Sequence, residues 1–340
     1  MKIAFLTGEK GFIAKNLIRV AQDTGRIRFI NSEINEPNIF CGNEKGEIDF
    51  TSPVGMYVLK EELHKLGCNV IIHNGATVGT DVCGLHPKEA IINNVYGTYN
   101  IALLAKQLNI PVVYIGTTVI YDTQKVQDDW IDETSPIFPR TLYATTKYEG
   151  EQIIRAYCQD SKYCILRPLF CYGGNGDMNS LIAKSIFNVL SNRKKPFKIF
   201  LNKTKIKDYM HVDDFCETIT IAATNDYIMK FNTDFNIAAN DPVETSEIVK
   251  EIESAGIDTS YIQWVPETDY LGNHRVNSSK FKIITSRVGR WSPQISLKDG
   301  IRRTIDDIHH HTSLDYNPFK HLDSIERNNI NIETHYNFRG

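Results

Sequence analysis

A tyrosine and a lysine four residues apart are the residues of this sequence best suited to proton transfer. Tyr143 and Lys147 lie in segment 141–160, whose apolar periodicity predicts a helix, so both side chains share one face. A phenol has an ordinary pKa of about 10, but a nearby ammonium or a cationic nicotinamide favours its ionised form. The spacing therefore predicts an acid–base pair; the alternative is an ordinary surface pair.

A hydroxyl group that orients the reacting oxygen would complete this pair, and Thr117 is the candidate. It ends the apolar segment 111–117, which is predicted to be a strand. Ligands of parallel sheets bind at the carboxyl ends of the strands. We therefore expect Thr117 to act together with Tyr143 and Lys147.

Three small residues at the start of the chain predict a phosphate-binding turn. Gly8, Gly11 and Ala14 follow the apolar segment 2–7 and lead into a predicted helix. Gly8 allows a tight turn, Gly11 lets the backbone approach a pyrophosphate, and Ala14 permits close helix–strand packing. The helix N-terminus adds N–H groups and partial positive charge. The pattern predicts a dinucleotide site; the alternative is a tight turn without a ligand.

The residues after the second predicted strand bear on which dinucleotide binds. NAD-binding proteins commonly have an acidic residue there, which binds the ribose hydroxyls. Here the strand ends at Asn31 and Ser32, and Glu33 comes one residue late. Lys10, inside the glycine turn, could contact a 2′-phosphate. We therefore expect NADP, with NAD possible. Asp49 could accept a hydrogen bond from the adenine amino group or could simply cap a turn.

The elements that must position these residues alternate between strands and helices. In the first half of the chain, strands are predicted at 2–7, 26–30, 47–50, 69–76, 111–117 and 162–168, and helices at 14–24, 55–67, 88–109 and 141–160. This alternation is typical of parallel βαβ units. It predicts an α/β fold: a Rossmann-type doubly wound parallel sheet with a smaller mixed α/β C-terminal substrate lobe.

The regular alternation of strands and helices ends after Pro168, and this change sets the expected domain boundaries. We expect residues 1–168, with a return at about 209–224, to form the dinucleotide-binding domain. Residues 169–208 and 225–311 would form the substrate lobe. Residues 312–340 are polar and rich in asparagine, and we expect an extension there.

Composition excludes several other classes of protein. The 340 residues are 41% hydrophobic and carry a formal net charge of −3, which disfavours disorder and gives no basic excess for nucleic acid or membrane binding. Seven scattered cysteines without a CxxC pair indicate a reducing, cytoplasmic environment. We expect no metal site, because three consecutive histidines, 309–311, cannot all face one ion from a helix.

Taken together and in order, these motifs resemble the extended short-chain dehydrogenase/reductase family, in its nucleotide-sugar epimerase/dehydratase/reductase branch. The resemblance spans about residues 1–305. It is carried by TGEKGFIAKNL, VIIHNGATVG, NNVYGTYN, YIGTTVIYD, YATTK, LRPLFCYGGNGD, KDYMHVDDF and FNIAANDPVETSEIVKEI. The resemblance implies an NAD(P)-dependent oxidoreductase of carbohydrate biosynthesis, with a nucleoside-diphosphate sugar as its partner.

The resemblance also implies roles for individual residues. The catalytic residues would be Thr117, Tyr143 and Lys147, with Asn94 supporting them. The cofactor would contact Gly8, Lys10, Gly11, Phe12, Ile13, Ser32, Asp49, Phe50, Gly75, Ala76, Asn94, Tyr143 and Lys147. The substrate would contact Thr118, Asn179, Lys207 and Arg275. Lys207 replaces the arginine usual in the family, so it offers a point charge where an arginine would offer a fork. By the same resemblance, the apolar face of residues 98–108 could pair two subunits in a homodimer.

The residues after Thr117 limit which reactions of the family are expected. Dehydratases of the family usually have Asp-Glu there, whereas this chain has Thr118 and Val119, which argues against 4,6-dehydration. GDP-fucose synthases have a cysteine at the position of Val119, so epimerisation beside a ketone is also disfavoured. We therefore expect a 4-keto-sugar reductase. The alternatives are an NAD-dependent nucleotide-sugar 4-epimerase and a non-catalytic dinucleotide-binding regulator.

Overall fold

The computed structural model describes residues 1–31, 52–125, 130–174, 180–190, 197–199, 203–260, 262–264 and 273–312. Several predicted features lie outside these residues. They are the third predicted strand at 47–50, the cofactor candidates Ser32, Asp49 and Phe50, the substrate candidate Asn179, and residues 313–340 of the predicted extension.

A parallel sheet forms the centre of the molecule. Within the described residues its six strands are β1 (Lys2–Thr7), β2 (Ile27–Phe29), β3 (Val70–His73), β4 (Val112–Ile115), β6 (Tyr163–Pro168) and β11 (Thr233–Ile237). Their order across the sheet is β11-β6-β4-β3-β1-β2, and every neighbouring pair is parallel. Parallel neighbours that are not consecutive in sequence need crossover connections, so the predicted doubly wound α/β fold is confirmed.

Helices cover both faces of this sheet. The first half of the chain contributes α1 (Phe12–Thr24), α2 (Pro53–Lys65), α3 (Thr80–Leu85), α4 (Pro87–Ile91), α5 (Gly97–Leu108) and α6 (Leu142–Tyr157). On one face, α1 packs with α8 (Val212–Thr224) in a core that includes Ala4, Leu6 and Leu17. On the other, α2, α5 and α6 pack on Phe5 and its neighbours. Alternate residues of β1 thus serve opposite cores, as expected for a strand buried on both sides.

Two later helices, α9 (Asp226–Met229) and α11 (Ser279–Thr285), also pack on the large sheet, since Ile228, Met229 and Phe281 belong to the same core as Ala4 and Leu6. The remaining elements build a smaller mixed region. It contains β5 (Trp130–Ile131), β7 (Cys171–Tyr172), α7 (Leu181–Leu190), β8 (Phe197–Ile199), β9 (Ile206–Asp208), β10 (Met210–His211), β12 (Pro242–Glu244), α10 (Thr245–Ser254), β13 (Ile262–Trp264), β14 (Arg275–Val276) and α12 (Leu297–Thr312). Short strand pairs link it, including antiparallel β9–β12 and parallel β5–β14. Ile182, Ile248 and Ile301 form its core where α7, α10 and α12 meet.

Two elements differ from the sequence prediction. Residues 225–311 were assigned to the substrate lobe, but strand β11 within them pairs with β6 along its full length and forms one edge of the large sheet. Phe235 and Ile237 join the same core as α1, which explains the placement. The helix predicted at 88–109 is instead α4, a π-helical turn at Ile92–Tyr96, and α5. The π-helical turn changes the hydrogen-bond pattern over about one turn of an otherwise helical segment, and apolar spacing does not report hydrogen-bond partners, so the sequence pattern does not reveal it.

The thiols of the cysteines and the character of the helices bear on the environment of the chain. The six cysteines within the described residues are free thiols, and most of them are buried. In the same residues, no helix combines the length and the apolar character needed to cross a bilayer.

Candidate active site

The structure brings Thr117 and Tyr143 together at the carboxyl end of the central sheet. Thr117 follows strand β4 and caps a short 3₁₀ turn, Thr118–Ile120, where its hydroxyl accepts a 3.4 Å hydrogen bond from the N–H of Val119. Tyr143 lies in the first turn of α6, and its hydroxyl is hydrogen-bonded to that of Thr117. The two hydroxyls therefore present a pair of polar groups to one reacting oxygen.

The protonation state of Tyr143 is set mainly by desolvation. Burial of its hydroxyl raises the pKa of Tyr143 to about 12, although the hydrogen bond with Thr117 lowers it in part. The spacing of Tyr143 and Lys147 predicts a phenol made more acidic by the ammonium; this prediction is wrong, because desolvation outweighs any such effect. The thiols of Cys83 and Cys171 also act electrostatically on this phenol and raise its pKa further. The phenol of Tyr143 is thus protonated at neutral pH.

Lys147 lies one helical turn beyond Tyr143 and is buried. Burial lowers the pKa of Lys147 to about 8, while the carboxylate of Glu151 acts in the opposite direction. Its ammonium lies 4.3 Å from the ring centroid of Tyr114, whose hydroxyl donates a 3.2 Å hydrogen bond to the carbonyl of Lys147. Tyr114 therefore holds both the backbone and the charged end of this residue.

A buried ion pair lies next to the candidate site. Arg167 on β6 donates from Nε to both carboxylate oxygens of Glu151, at 3.0 and 3.2 Å, and from a terminal nitrogen at 2.6 Å. Gly116, the residue before Thr117, fits closely against this pair, since a Cβ there would lie 2.7 Å from Glu151 Oε1. The ion pair thus joins α6, β6 and the end of β4. No sequence motif pointed to Arg167 or Glu151 as part of the site.

The glycine turn fits the pyrophosphate of a dinucleotide. Gly8 has a φ of +69°, and a Cβ on it would lie 2.7 Å from the Cα of Gly75. Gly11 caps α1, donates to the carbonyl of Gly8 at 2.9 Å, and has little room for a side chain on that side, since a Cβ would lie 3.1 Å from the same carbonyl. The first turn of α1 contains no acidic residue. Bare backbone and an uncompensated helix N-terminus are what a diphosphate requires.

The other cofactor candidates lie around this turn. Lys10 is exposed in the turn, and Phe12 and Ile13 begin α1, where they pack against the core. Asn31, which stands where an acidic residue was expected, binds the backbone of Leu6 with both ends of its amide, at 3.0 and 2.6 Å. Asn31 therefore ties the end of β2 to β1.

Asn94 lies in the π-helical turn and is almost fully buried. Its Oδ1 accepts a 2.7 Å hydrogen bond from the N–H of Thr77, and its Nδ2 donates to the carbonyl of Thr77 and to the hydroxyl of Thr146, both at 3.0 Å. Thr77 directly follows the predicted cofactor residues Gly75 and Ala76. Asn94 therefore connects that loop to helix α6; its supporting role in catalysis and its contact with the cofactor stay predictions.

The substrate candidates are divided between two places. Thr118 is fully buried, and its hydroxyl donates to the carbonyl of Pro168 at 3.3 Å, which gives it a structural role; its contact with substrate stays a prediction. The backbone of Lys207 on β9 pairs with that of His274 in an isolated parallel β-bridge. His274 precedes Arg275 on β14, so Lys207 and Arg275 lie on neighbouring segments. Lys207 is buried, with its ammonium 5.5 Å from the ring centroid of Phe170.

A group of buried polar residues near the site was missed by sequence analysis. Thr7 and His73 end strands β1 and β3, and Thr98 lies in α5; all three are at most 2% exposed. The sequence contained a sign of His73, because a histidine ends an otherwise apolar strand, VIIH. Buried polar side chains of this kind need hydrogen-bond partners, and such networks often surround functional sites.

Comparison with known proteins identifies the family and the fold. The model of the NAD dependent epimerase/dehydratase family matches residues 4–238. Human dTDP-D-glucose 4,6-dehydratase is 22% identical over 330 residues, covering 90% of this chain and 89% of the relative. Among solved structures, RMD from Pseudomonas aeruginosa, complexed with NADPH, has a TM-score of 0.76 at 16% identity and covers 91% of this chain and 99% of its own. UDP-glucose 4-epimerase from Thermotoga maritima, with UDP-glucose, has a TM-score of 0.73 at 18% identity with the same coverage.

Proposed function

Because the chain belongs to the NAD-dependent epimerase/dehydratase family of extended short-chain dehydrogenases/reductases, we propose that it reduces a 4-keto nucleoside-diphosphate sugar at C4. One observation supports this most directly. The hydroxyl of Tyr143 is hydrogen-bonded to that of Thr117, and burial raises the pKa of Tyr143 to about 12, so at neutral pH the phenol still carries the proton that the reduction consumes. Reduction of a ketone needs a proton donor at the carbonyl oxygen.

The residues of the glycine turn would hold the cofactor. Gly8 and Gly11 would admit its diphosphate, and the N-terminus of α1 would stabilise the negative charge. When bound, a nicotinamide dinucleotide supplies or accepts the hydride. Lys10 would meet a 2′-phosphate, and Asn31 is occupied by the backbone of Leu6 and does not offer a carboxylate for ribose hydroxyls. These two residues favour NADP over NAD.

The chain's own residues would manage the proton. Tyr143 would donate its hydroxyl proton to the oxygen at C4, while Thr117 would orient that oxygen through its own hydroxyl. Lys147 would stabilise the phenolate left behind, because an ammonium one helical turn away favours the negative charge. Tyr114 would keep Lys147 in place through its ring and its hydroxyl.

Two observations bear on the other reactions of the family. A 4,6-dehydration needs acid–base groups that eliminate water from the sugar. Dehydratases of the family usually have Asp-Glu at the two positions that Thr118 and Val119 occupy here. Thr118 is committed to the carbonyl of Pro168, and Val119 packs against a hydrophobic cluster. A C4 epimerase remains the second candidate, since Thr117, Tyr143 and Lys147 serve removal and return of a proton equally well.

The smaller region would bind the nucleotide part of the substrate. Lys207 and Arg275, which lie on neighbouring segments, would neutralise its diphosphate. In this division, residues 1–168, the return at 209–224 and strand β11 hold the cofactor, and most of the remaining residues up to 311 hold the sugar nucleotide. Pairing of two subunits through the face of residues 98–108 stays a prediction.

One experiment separates these activities. The protein is incubated with NADPH and a panel of UDP-, GDP-, CDP- and dTDP-linked 4-keto sugars, and in parallel with NAD and the corresponding nucleotide sugars. A reductase consumes NADPH in step with loss of the ketone, whereas an epimerase gives a C4-inverted sugar without net change in nicotinamide absorbance. Tyr143→Phe should abolish either activity and leave dinucleotide binding nearly unchanged. Full activity of that variant would exclude Tyr143 as the acid, and no activity in any pairing would favour the non-catalytic alternative.

A further inference from the structure

Two sets of hydrogen bonds, joined through the covalent structure of Asn94, connect Gly75, which packs against the glycine turn, with the backbone of Tyr143. This series begins at Gly75, whose N–H donates to the hydroxyl of Thr7 at 2.7 Å. The hydroxyl of Thr7 lies 2.8 Å from His73 Nδ1, and His73 Nε2 lies 2.9 Å from the hydroxyl of Thr98. The hydroxyl of Thr98 donates to the carbonyl of Asn94 at 2.6 Å. A single imidazole therefore bridges strand β1 and helix α5.

The direction of each hydrogen bond can be assigned from the number of protons available. The one proton of the Thr98 hydroxyl goes to Asn94, so this oxygen must accept from His73 Nε2–H. His73 Nδ1 then carries no proton and accepts from the hydroxyl of Thr7, which in turn accepts from Gly75 N–H. The series thus assigns His73 a neutral Nε2–H tautomer. Burial lowers the pKa of His73 to about 3, and the charge of Lys147 acts in the same direction, so the ring stays neutral.

The series continues through the side chain of Asn94. The N–H of Thr77 donates to Asn94 Oδ1, which fixes the orientation of the amide. Asn94 Nδ2 then donates to the hydroxyl of Thr146, and that hydroxyl donates to the carbonyl of Tyr143 at 3.0 Å. Each hydroxyl in the series thus has one donor and one acceptor among its neighbours in the series, and the hydroxyl of Thr98 also contacts that of Tyr114. The series therefore ends on the backbone of the residue that carries the proposed acid.

Close packing makes both ends of the series sensitive to position. Gly75 lies against Gly8, where a Cβ would come within 2.7 Å, so a shift of Gly75 changes the shape of the glycine turn. At the other end, α6 fits tightly against Asn94 and Tyr114: a Cβ on Gly150 would lie 2.3 Å from the hydroxyl of Tyr114 and 3.4 Å from the carbonyl of Asn94. Interiors packed this closely transmit small displacements.

We propose that His73 is a positioning residue, which holds the cofactor turn through Thr7 and the helix of Tyr143 through Thr98, so that its two ring nitrogens serve two separate steps. Nδ1 would set cofactor affinity through Gly75, and Nε2 would set the rate of proton transfer through Asn94 and Thr146. The kinetic part of this inference rests on the proposed function; the binding part does not.

Two polar substitutions of His73 separate the roles of its two ring nitrogens. An asparagine amide reaches the position of Nδ1, so His73→Asn keeps an acceptor for Thr7 and loses the donor to Thr98. A glutamine amide reaches the position of Nε2, so His73→Gln keeps the donor to Thr98 and loses the acceptor for Thr7. Thr98→Val repeats the first loss by an independent change. Thr220→Val is the matched control, because its buried hydroxyl donates only within α8, to the carbonyl of Cys216 at 2.8 Å.

The experiment measures NADPH affinity by calorimetry and kcat with dTDP-4-keto-6-deoxyglucose at saturating NADPH. His73→Asn and Thr98→Val should lower kcat at least about tenfold and change the Kd for NADPH less than about twofold. His73→Gln should raise that Kd at least about fivefold and largely keep kcat. The Thr220→Val control should match the parent protein. Equal losses in both quantities for His73→Asn and His73→Gln would overturn the division of roles.

Nitrogen NMR of the parent protein labelled in its histidines tests the same inference without a substrate. His73 should show the Nε2–H tautomer and no titration from about pH 5 to pH 8. An Nδ1–H tautomer would overturn the inference, because the directions of the hydrogen bonds would reverse. If no sugar nucleotide is turned over, the proposed reaction fails, while the NMR and NADPH-binding results still decide whether His73 bridges the two elements.

Discussion

The ammonium of Lys147 lies 4.3 Å from the centre of the Tyr114 ring, and the Tyr114 hydroxyl donates back to the carbonyl of Lys147. Tyr114 belongs to β4, the strand that leads into Thr117, whereas Lys147 belongs to the helix of Tyr143. This contact therefore fixes the two elements of the proposed acid–base site relative to each other. A cation held over an aromatic face gains electrostatic attraction and keeps part of its charge stabilised without water.

The first prediction concerns the pH dependence of turnover. Burial lowers the pKa of Lys147 to about 8, so its ammonium is present below that pH and is lost above it. Burial raises the pKa of Tyr143 to about 12, so the acid stays protonated over the same range. The rate of ketone reduction should therefore be level below about pH 8 and fall above it. A pH–kcat profile measures this.

Lys147→Arg is the control for that profile, since a guanidinium keeps its charge at alkaline pH. Whatever activity this variant retains should lose the fall near the pKa of Lys147. A parent profile that stays level to about pH 10 would show that the ammonium is not required.

The same burial predicts that Lys147 destabilises the fold. Its pKa of about 8 lies below the ordinary 10.5, so at neutral pH the charged form is less favourable in the folded than in the unfolded state. This loss of stability diminishes as the pH rises from about 8 toward the ordinary pKa. Lys147→Met should therefore abolish turnover and raise the free energy of unfolding by about 1–3 kcal/mol at neutral pH. Urea unfolding measures the change.

Lys65→Met, at a position whose side chain is 71% exposed, serves as the matched control. It should change the free energy of unfolding by less than about 0.5 kcal/mol. A destabilised Lys147→Met variant would contradict the interpretation and would assign the contact with Tyr114 a larger share of stability than the desolvation penalty.

Strong local patterns allowed much of this site to be predicted from the sequence. The glycine turn, strand β4 and helix α6 each carry a local signal, and these signals were enough to place Gly8, Thr117 and Tyr143 at the same edge of one sheet. The C-terminal end of α1 was equally visible, because Gly25 adopts the left-handed conformation that a helix end favours.

The remainder depended on contacts between distant segments. Strand β11 joins the large sheet through its pairing with β6, about which its own five residues carry no information. The protonation of Tyr143 depends on how completely other segments exclude water from it, so spacing alone gave the wrong direction for its pKa. Arg167 and Glu151 were missed because each looks ordinary until β6 and α6 are adjacent.

The Arg167–Glu151 pair gives a prediction about stability. Both side chains are at most 1% exposed, and Arg167 also contacts Asp234 at 2.7 Å. Glu151→Gln keeps the shape but leaves a buried guanidinium with less compensating charge, so it should lower the free energy of unfolding by about 3 kcal/mol. Chemical denaturation measures it.

The exposed pair Lys2–Asp226 provides the comparison, with a distance of 2.7 Å similar to that of the buried pair and Asp226 78% exposed. Asp226→Asn should change stability by less than about 1 kcal/mol, since exposed ion pairs contribute little. Similar losses for the two substitutions would mean that burial of the Arg167–Glu151 pair does not have the assigned effect.

Cofactor choice is tested at Lys10. If its ammonium meets a 2′-phosphate, Lys10→Glu should weaken NADPH binding by at least about tenfold and NADH binding much less. Calorimetric titration of the two dinucleotides with parent and variant measures the preference. Lys15→Glu, in the exposed part of the first turns of α1, controls for the general change of charge. An unchanged ratio of affinities would remove the argument for NADP.

The last prediction compares two glycines with the same backbone conformation. Gly8 and Gly25 have φ values of +69° and +61°, but a Cβ on Gly8 would lie 2.7 Å from the Cα of Gly75, whereas a Cβ on Gly25 meets nothing within 4 Å. Gly25→Ala should therefore show only the conformational penalty, about 1 kcal/mol, with unchanged NADPH affinity. Gly8→Ala adds a backbone clash inside the proposed phosphate site, so it should weaken NADPH binding by at least about tenfold. Equal effects on NADPH affinity would mean that the close approach of Gly8 to Gly75 does not shape the cofactor site.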